Sequence, residues 1–181
     1  MKSNHKNSES KIHFMTKSAV LSALICIFSP VTVPIGPVPV TLGLFAVMLA
    51  GVVFESKKSL LAVMAFVLIG ACGLPVFAGA KGGLSSLIGP TGGYIWSYFL
   101  VAFAVSKVSF RSNSSFAKSF IGCVLGMIVC YFFGTAQFVI LTENISFKNA
   151  LKICVYPFIV FDLIKAVCAA MLGESIKKRM R

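Results

Sequence analysis

Asp162 is the only aspartate of the chain, and it stands three residues before Lys165 in the stretch VFDLIKAVCAA. At i and i+3 on a helix the two side chains share a face and can meet. The surrounding residues are apolar enough to cross a bilayer, where each buried charge costs roughly 2.5–3.5 kcal/mol on insertion scales. Pairing recovers part of that cost, yet two apolar residues would usually serve a span as well. One reading is a bridge that locks the last span to its neighbours, or a lysine reaching back to the surface. The reading favoured by the cost is a polar ligand site, with the carboxylate accepting and the ammonium donating hydrogen bonds. Pro157, five residues before Asp162, is expected to loosen the helix locally and free a carbonyl.

A second candidate is GLPVFAGAKGGLSSLIGPTGGY, residues 73–94, which holds seven of the fifteen glycines. Glycines let a backbone come close to a small molecule. Gly79, Gly82, Gly83, Gly92 and Gly93 are therefore expected to form a loop with amides turned to a pocket. Lys81 is its one strong charge and suits an anionic group at the outer mouth. The alternative is an external loop with a solvated lysine. No phosphate-loop pattern occurs in it. Tyr94, directly after the glycines, is a pocket candidate, whereas Trp96 and Tyr98 read as an interfacial aromatic belt. The stretch SPVTVPIGPVPVT, residues 29–41, has four prolines and no charge, and leaves backbone polar groups that protein, water or a ligand must satisfy.

The elements that position these residues follow from composition. The 181 residues are 57% hydrophobic and 12% charged, about half the charge of a soluble domain. Apolar segments at 14–30, 38–54, 59–74, 92–109, 116–141 and 150–173 predict an all-α integral membrane protein with six transmembrane helices. Residues 1–13 are expected to be a disordered cytoplasmic tail, 14–175 the transmembrane substrate-binding domain and 176–181 a basic cytoplasmic tail. Lys2, Lys6, Lys11, Lys17, Lys57, Lys58, Lys107, Arg111, Lys118, Lys177, Lys178, Arg179 and Arg181 fall on one side of that arrangement. Only Lys81, Lys148 and Lys152 fall on the other. The positive-inside rule then places both termini in the cytoplasm.

The net charge of +12 is thus a topology signal, and no basic face with interleaved aromatics suggests nucleic acid. Six cysteines lie in or beside apolar segments without a CxxC or a neighbouring histidine, so no metal or cofactor is called for. His5 and His13 lie at the N-terminus, and a second intramembrane acid is not found. An intramembrane enzyme or a proton-coupled antiporter is therefore disfavoured, and no ATP-binding motif is present. Gly122 and Gly126 form a GxxxG suited to helix packing. Ala19 and Ala23 repeat that spacing, and spacing alone favours packing over a partner site.

GPVPVTLGLFAVMLAG (36–51), GLPVFAGAKGGLSSLIGPTGGY (73–94) and FDLIKAVCAA (161–170) together resemble the blocks of the BioY family. These are biotin-binding S components of energy-coupling factor (ECF) transporters. The resemblance implies the six-helix S-component fold in the bacterial plasma membrane, with a vitamin pocket near the outer surface. It implies no catalysis, but partners in one transmembrane coupling protein and two cytoplasmic ATPases. It also implies that Ala19 and Ala23 dock the coupling protein, reversing the spacing-only preference. Asp162 and Lys165 then face the ureido ring, and Thr41, Phe77, Leu84 and Tyr94 join Lys81, Gly82, Gly83, Gly92 and Gly93 as substrate-binding candidates. Lys165 and Lys81 remain open between the two ends of biotin. Departures from the family pattern are Gly43 in place of a usual glutamine, Ala80 in place of a usual glycine, and VFD before the lysine motif. Another small vitamin, such as thiamin or riboflavin, is the alternative substrate.

Overall fold

The computed structural model describes residues 2–34, 38–110, 115–142 and 145–180, with side chains from Ile12 onward. Arg111, Arg181 and the side chains of Lys2, Lys6 and Lys11 lie outside what is described, as do residues 35–37 of the proline segment.

The chain is helical almost throughout. Helix α1 (Lys2–Phe28) leads into a small hairpin, β1 (Thr32–Val33) and β2 (Val40–Thr41), paired antiparallel with Thr32 opposite Thr41. Helices α2 (Gly43–Val53) and α3 (Ser56–Ala71) follow, joined only by Phe54 and Glu55. After a glycine-rich connection come a short α4 (Leu84–Ile88), α5 (Gly92–Phe110), α6 (Phe116–Leu141), α7 (Phe147–Cys154) and α8 (Tyr156–Met180).

Several elements differ in their bounds from the sequence expectation. Helix α1 begins at Lys2, inside the stretch expected to be a disordered tail. The second apolar segment becomes helical at Gly43 rather than 38, because Val38–Thr41 is taken into the proline-bounded hairpin. The last segment is two helices, α7 and α8, bent by 47°. Pro157 in the first turn of α8 has no N–H to donate back, and its ring excludes the carbonyl four residues earlier, so α7 stops at Cys154. At the other end α8 stays helical through the expected basic tail to Met180. Among the described residues, α5 and α6 are the helices that are each long and apolar enough to cross a membrane as a single helix, α7–α8 does so as a bent pair, and Ile12–Phe28 and Gly43–Val53 are shorter apolar helices. Eleven-residue α2 rises about 16 Å, half the hydrocarbon thickness.

Helix α2 is the centre of the bundle. Ten of its eleven residues are buried, all but Phe45, because it is sandwiched between α5 and α8 and also touches α1, α3 and α6. Helix α1 packs on α3, and α5 on α6 along most of their lengths. Gly122 and Gly126 allow that last approach: a Cβ at either would press on α5 at Val101, Val105 or Val108. The opposite face of α6 exposes Ile121, Leu125, Ile128 and Phe132, and α8 exposes Val160, Phe161 and Ile164. An apolar outer surface of this extent suits lipid tails rather than water.

Candidate ligand-binding site

At one end of the bundle a cavity of about 260 Å³ lies between the hairpin, the α4–α5 turn and the start of α8. That is close to the lower end of the size range for small-molecule pockets, roughly 300–1,000 Å³. Its floor is Leu44, Ile95, Tyr98 and Cys130, and one wall is Val38 to Thr41. The opposite wall is Ser85, Ser86 and Gly89 to Thr91, while Phe158, Asp162 and Lys165 close the third side.

Asp162 and Lys165 are 5% and 8% exposed and form the ion pair that their spacing suggested, Nζ to Oδ1 at 2.7 Å. Neither depends on the other alone. The Tyr131 hydroxyl on α6 donates to Asp162 Oδ2 at 2.6 Å, and Lys165 Nζ donates to the Thr41 carbonyl at 2.8 Å. That carbonyl is one of the backbone groups the proline segment leaves outside a helix. A carboxylate accepts about four hydrogen bonds and an ammonium donates three. The two contacts on Asp162 and two on Lys165 therefore leave acceptor capacity and one N–H side by side. A ligand pairing an N–H with a carbonyl matches them. Of the described lining residues, only Asp162, Lys165 and exposed Lys81 carry formal charge, a net +1 that suits a monoanion.

The structure brings Thr41, Phe77, Lys81, Tyr94, Asp162 and Lys165 to the cavity. Phe77 is 1% exposed, its ring against Phe66 at 5.4 Å between centroids and lying over Gly70. It does not bring Gly82, Gly83, Gly92, Gly93 or Leu84 there. A Cβ on Gly82 would strike the carbonyls of Gly73 and Leu74. One on Gly92 would strike the Leu87 carbonyl, and one on Gly93 the backbone of Phe133 and the side chain of Gln137. These glycines allow close approach of protein to protein. Gly83, at φ 89°, enters α4, and Leu84 is 62% exposed. The loop turns at Gly79 (φ 69°) and Ala80 (φ 57°), closed by Phe77 N–H to the Lys81 carbonyl at 2.9 Å. The left-handed backbone costs an alanine about 1–2 kcal/mol, which accounts for a glycine preference at position 80.

Sequence reasoning missed four contributors. Tyr98 is 5% exposed and buried in the core, not in an interfacial belt; its hydroxyl lies 3.3 Å from that of Thr41. Its position four residues after Tyr94 puts both on the inward face of α5, a signal available in the sequence. Trp96, half exposed, donates its indole N–H to the Leu87 carbonyl at 3.2 Å. Tyr131 gave no local signal, because its partner lies 31 residues away. Gln137 joins Trp96 in holding the α4 wall, donating to the Gly89 carbonyl at 2.8 Å and more weakly to those of Leu87 and Ile88. Position 43, glycine here, leaves room for the hydroxyls of Ser29 and Tyr98, which a Cβ would meet at 2.8 Å.

The family model described as the BioY family matches residues 1–181. The chain belongs to the BioY family. It is 39% identical over 164 residues to the biotin transporter BioY of Thermotoga maritima, covering 91% of this chain and 95% of that one. It is 34% identical over 163 residues to a probable biotin transporter BioY of Pyrococcus horikoshii, covering 88% and 93%. It also superposes, with a TM-score of 0.85 and 29% identity, on a crystal structure of the S-component for biotin from an ECF-type ABC transporter. That match covers 94% of this chain and 93% of the other. The BioY chain described here therefore has the fold of an ECF S component and is a helical membrane protein.

Proposed function

We propose that this BioY chain is the biotin-binding membrane subunit of an ECF transporter and mediates biotin uptake without being an enzyme. The observation that carries the reading is the buried Asp162–Lys165 pair, whose unused acceptor and donor capacity faces the cavity at one end of the bundle. Biotin's ureido ring offers N–H groups and a carbonyl, the complement of that pair. Its thiophane ring and aliphatic tail suit Phe77, Tyr94 and Phe158, and its carboxylate suits the net positive charge with Lys81 at the rim. The family membership and the named relatives support the same substrate.

On this reading the subunit spans the bacterial plasma membrane six times, through α1, α2, α3, α5, α6 and the bent pair α7–α8. Both ends lie in the cytoplasm, as the lysine and arginine distribution requires. Its sequence carries no ATP-binding motif, and on this reading it draws on a module of one coupling protein and two ATPases. Ala19 and Ala23 suit that docking: both are exposed on α1, on one face with Ile27. Competition binding on the detergent-purified protein tests the substrate. Unlabelled biotin should displace labelled biotin, and thiamin and riboflavin should not. Displacement by another vitamin alone would end the assignment.

A further inference from the structure

Asp162 has one partner on its own helix, Lys165, and a helix neighbour alone does not fix the direction of a carboxylate. The contact from outside α8 is Tyr131, whose O–H is committed to Oδ2 at 2.6 Å. Tyr131 is half-buried, lines the cavity and is carried by α6, which packs along α8. Two consequences follow from hydrogen-bond capacity. The carboxylate is clamped between a phenol and an ammonium, with its remaining lone pairs in a set direction. The phenol oxygen, its proton already donated, faces the cavity with acceptor lone pairs only.

We propose that Tyr131 is a specificity-determining positioning residue. It holds Asp162 so that the site accepts from ligand N–H groups, and it presents a second acceptor beside it. The side of the cavity formed by Tyr131 and Asp162 is then blind to ligands that offer only acceptors there. Such a site selects a cyclic urea or lactam edge over an ester, a thiolactone or an N-alkylated ring of the same shape.

The inference rests on biotin being the ligand, and the test separates the two. Dissociation constants are measured on the purified full-length protein for biotin and for biotin methylated on both ureido nitrogens. The parent, Tyr131→Phe and the exposed control Tyr156→Phe are compared, with melting temperatures alongside. Tyr131→Phe keeps the ring and its packing on α6. The expected result is biotin binding weakened about tenfold or more, the worth of a hydrogen bond to a charged group. The methylated ligand, which binds the parent poorly, should change by no more than about twofold, so the preference for free N–H shrinks by about tenfold. Equal weakening of both ligands, or unchanged biotin binding, would overturn the role given to Tyr131. A parent that binds no biotin would overturn the proposed function itself.

Discussion

Helix α8 carries the same device twice. Asp162–Lys165 near its start and Glu174–Lys177 near its end are both acid–lysine pairs at i and i+3. Both are almost fully buried, with Nζ to oxygen distances of 2.7 and 3.1 Å. Twelve residues, or about 18 Å of helix, separate them. Their surroundings differ. Glu174 accepts from the Ser119 hydroxyl, while Lys177 donates to the Ser109 carbonyl and lies over the Phe110 ring, 5.0 Å from its centroid. Protein walls that pair in where the ends of α5 and α6 meet α8. The Asp162–Lys165 pair borrows Tyr131 and Thr41, but its remaining side is a cavity. A buried ion pair is therefore not by itself a ligand site. What distinguishes the two is hydrogen-bonding capacity left facing empty volume.

The contrast breaks first at Asp162–Lys165. Asp162→Asn or Lys165→Ala should weaken biotin binding by at least about a hundredfold, since truncating one partner of a buried pair leaves the other uncompensated. Membrane insertion should be preserved. Radiolabelled-biotin titration with a membrane-fraction blot checks both, and parental binding by either variant would show that the site lies elsewhere. At the second pair, Glu174→Gln should leave the biotin dissociation constant within about twofold, the spread expected where no ligand contact is lost. It should cost about 3 kcal/mol of stability, read as a lower melting temperature in detergent. Adding Lys177→Met should restore part of that stability, because the orphaned charge is then removed. If Glu174→Gln instead abolishes binding in a protein of normal melting temperature, the two pairs are coupled and the contrast fails.

The smallest effect sharpens the boundary of the site. Gln137→Leu removes the amide that holds the carbonyls at the end of α4, without touching the cavity. One hydrogen bond of this kind is worth about 1 kcal/mol, so biotin should dissociate roughly fivefold faster with a nearly unchanged association rate. Stopped-flow exchange against unlabelled biotin measures this. An unchanged dissociation rate would mean that the α4 wall does not retain the ligand.

The unequal legibility of the two pairs follows from their contexts. Asp162 and Lys165 stood out because they interrupt an apolar run. Glu174 and Lys177 were hidden beside Lys178, Arg179 and Arg181, where a lysine reads as part of a solvated tail. Helices α5 and α6 were legible because glycine or charge bounds long apolar stretches. The hairpin was not, since 38–54 is apolar and uncharged and periodicity cannot separate its strand from α2. Glycines gave half of their meaning. They announced close approach, but Gly82, Gly92 and Gly93 approach neighbouring backbone or side chains, and sequence does not name the partner. Tyr131 and Gln137 act through contacts made only once α6 meets α8 and α4, so nothing near them in sequence could mark them.

The most direct test of the central claim is labelled-biotin binding, without ATP, by the detergent-purified protein and its Asp162→Asn and Glu174→Gln variants. About one biotin per chain is expected for the parent and for Glu174→Gln, because one cavity holds one ligand, and none for Asp162→Asn. Absence of binding by the parent, or binding by Asp162→Asn equal to the parent's, would contradict it.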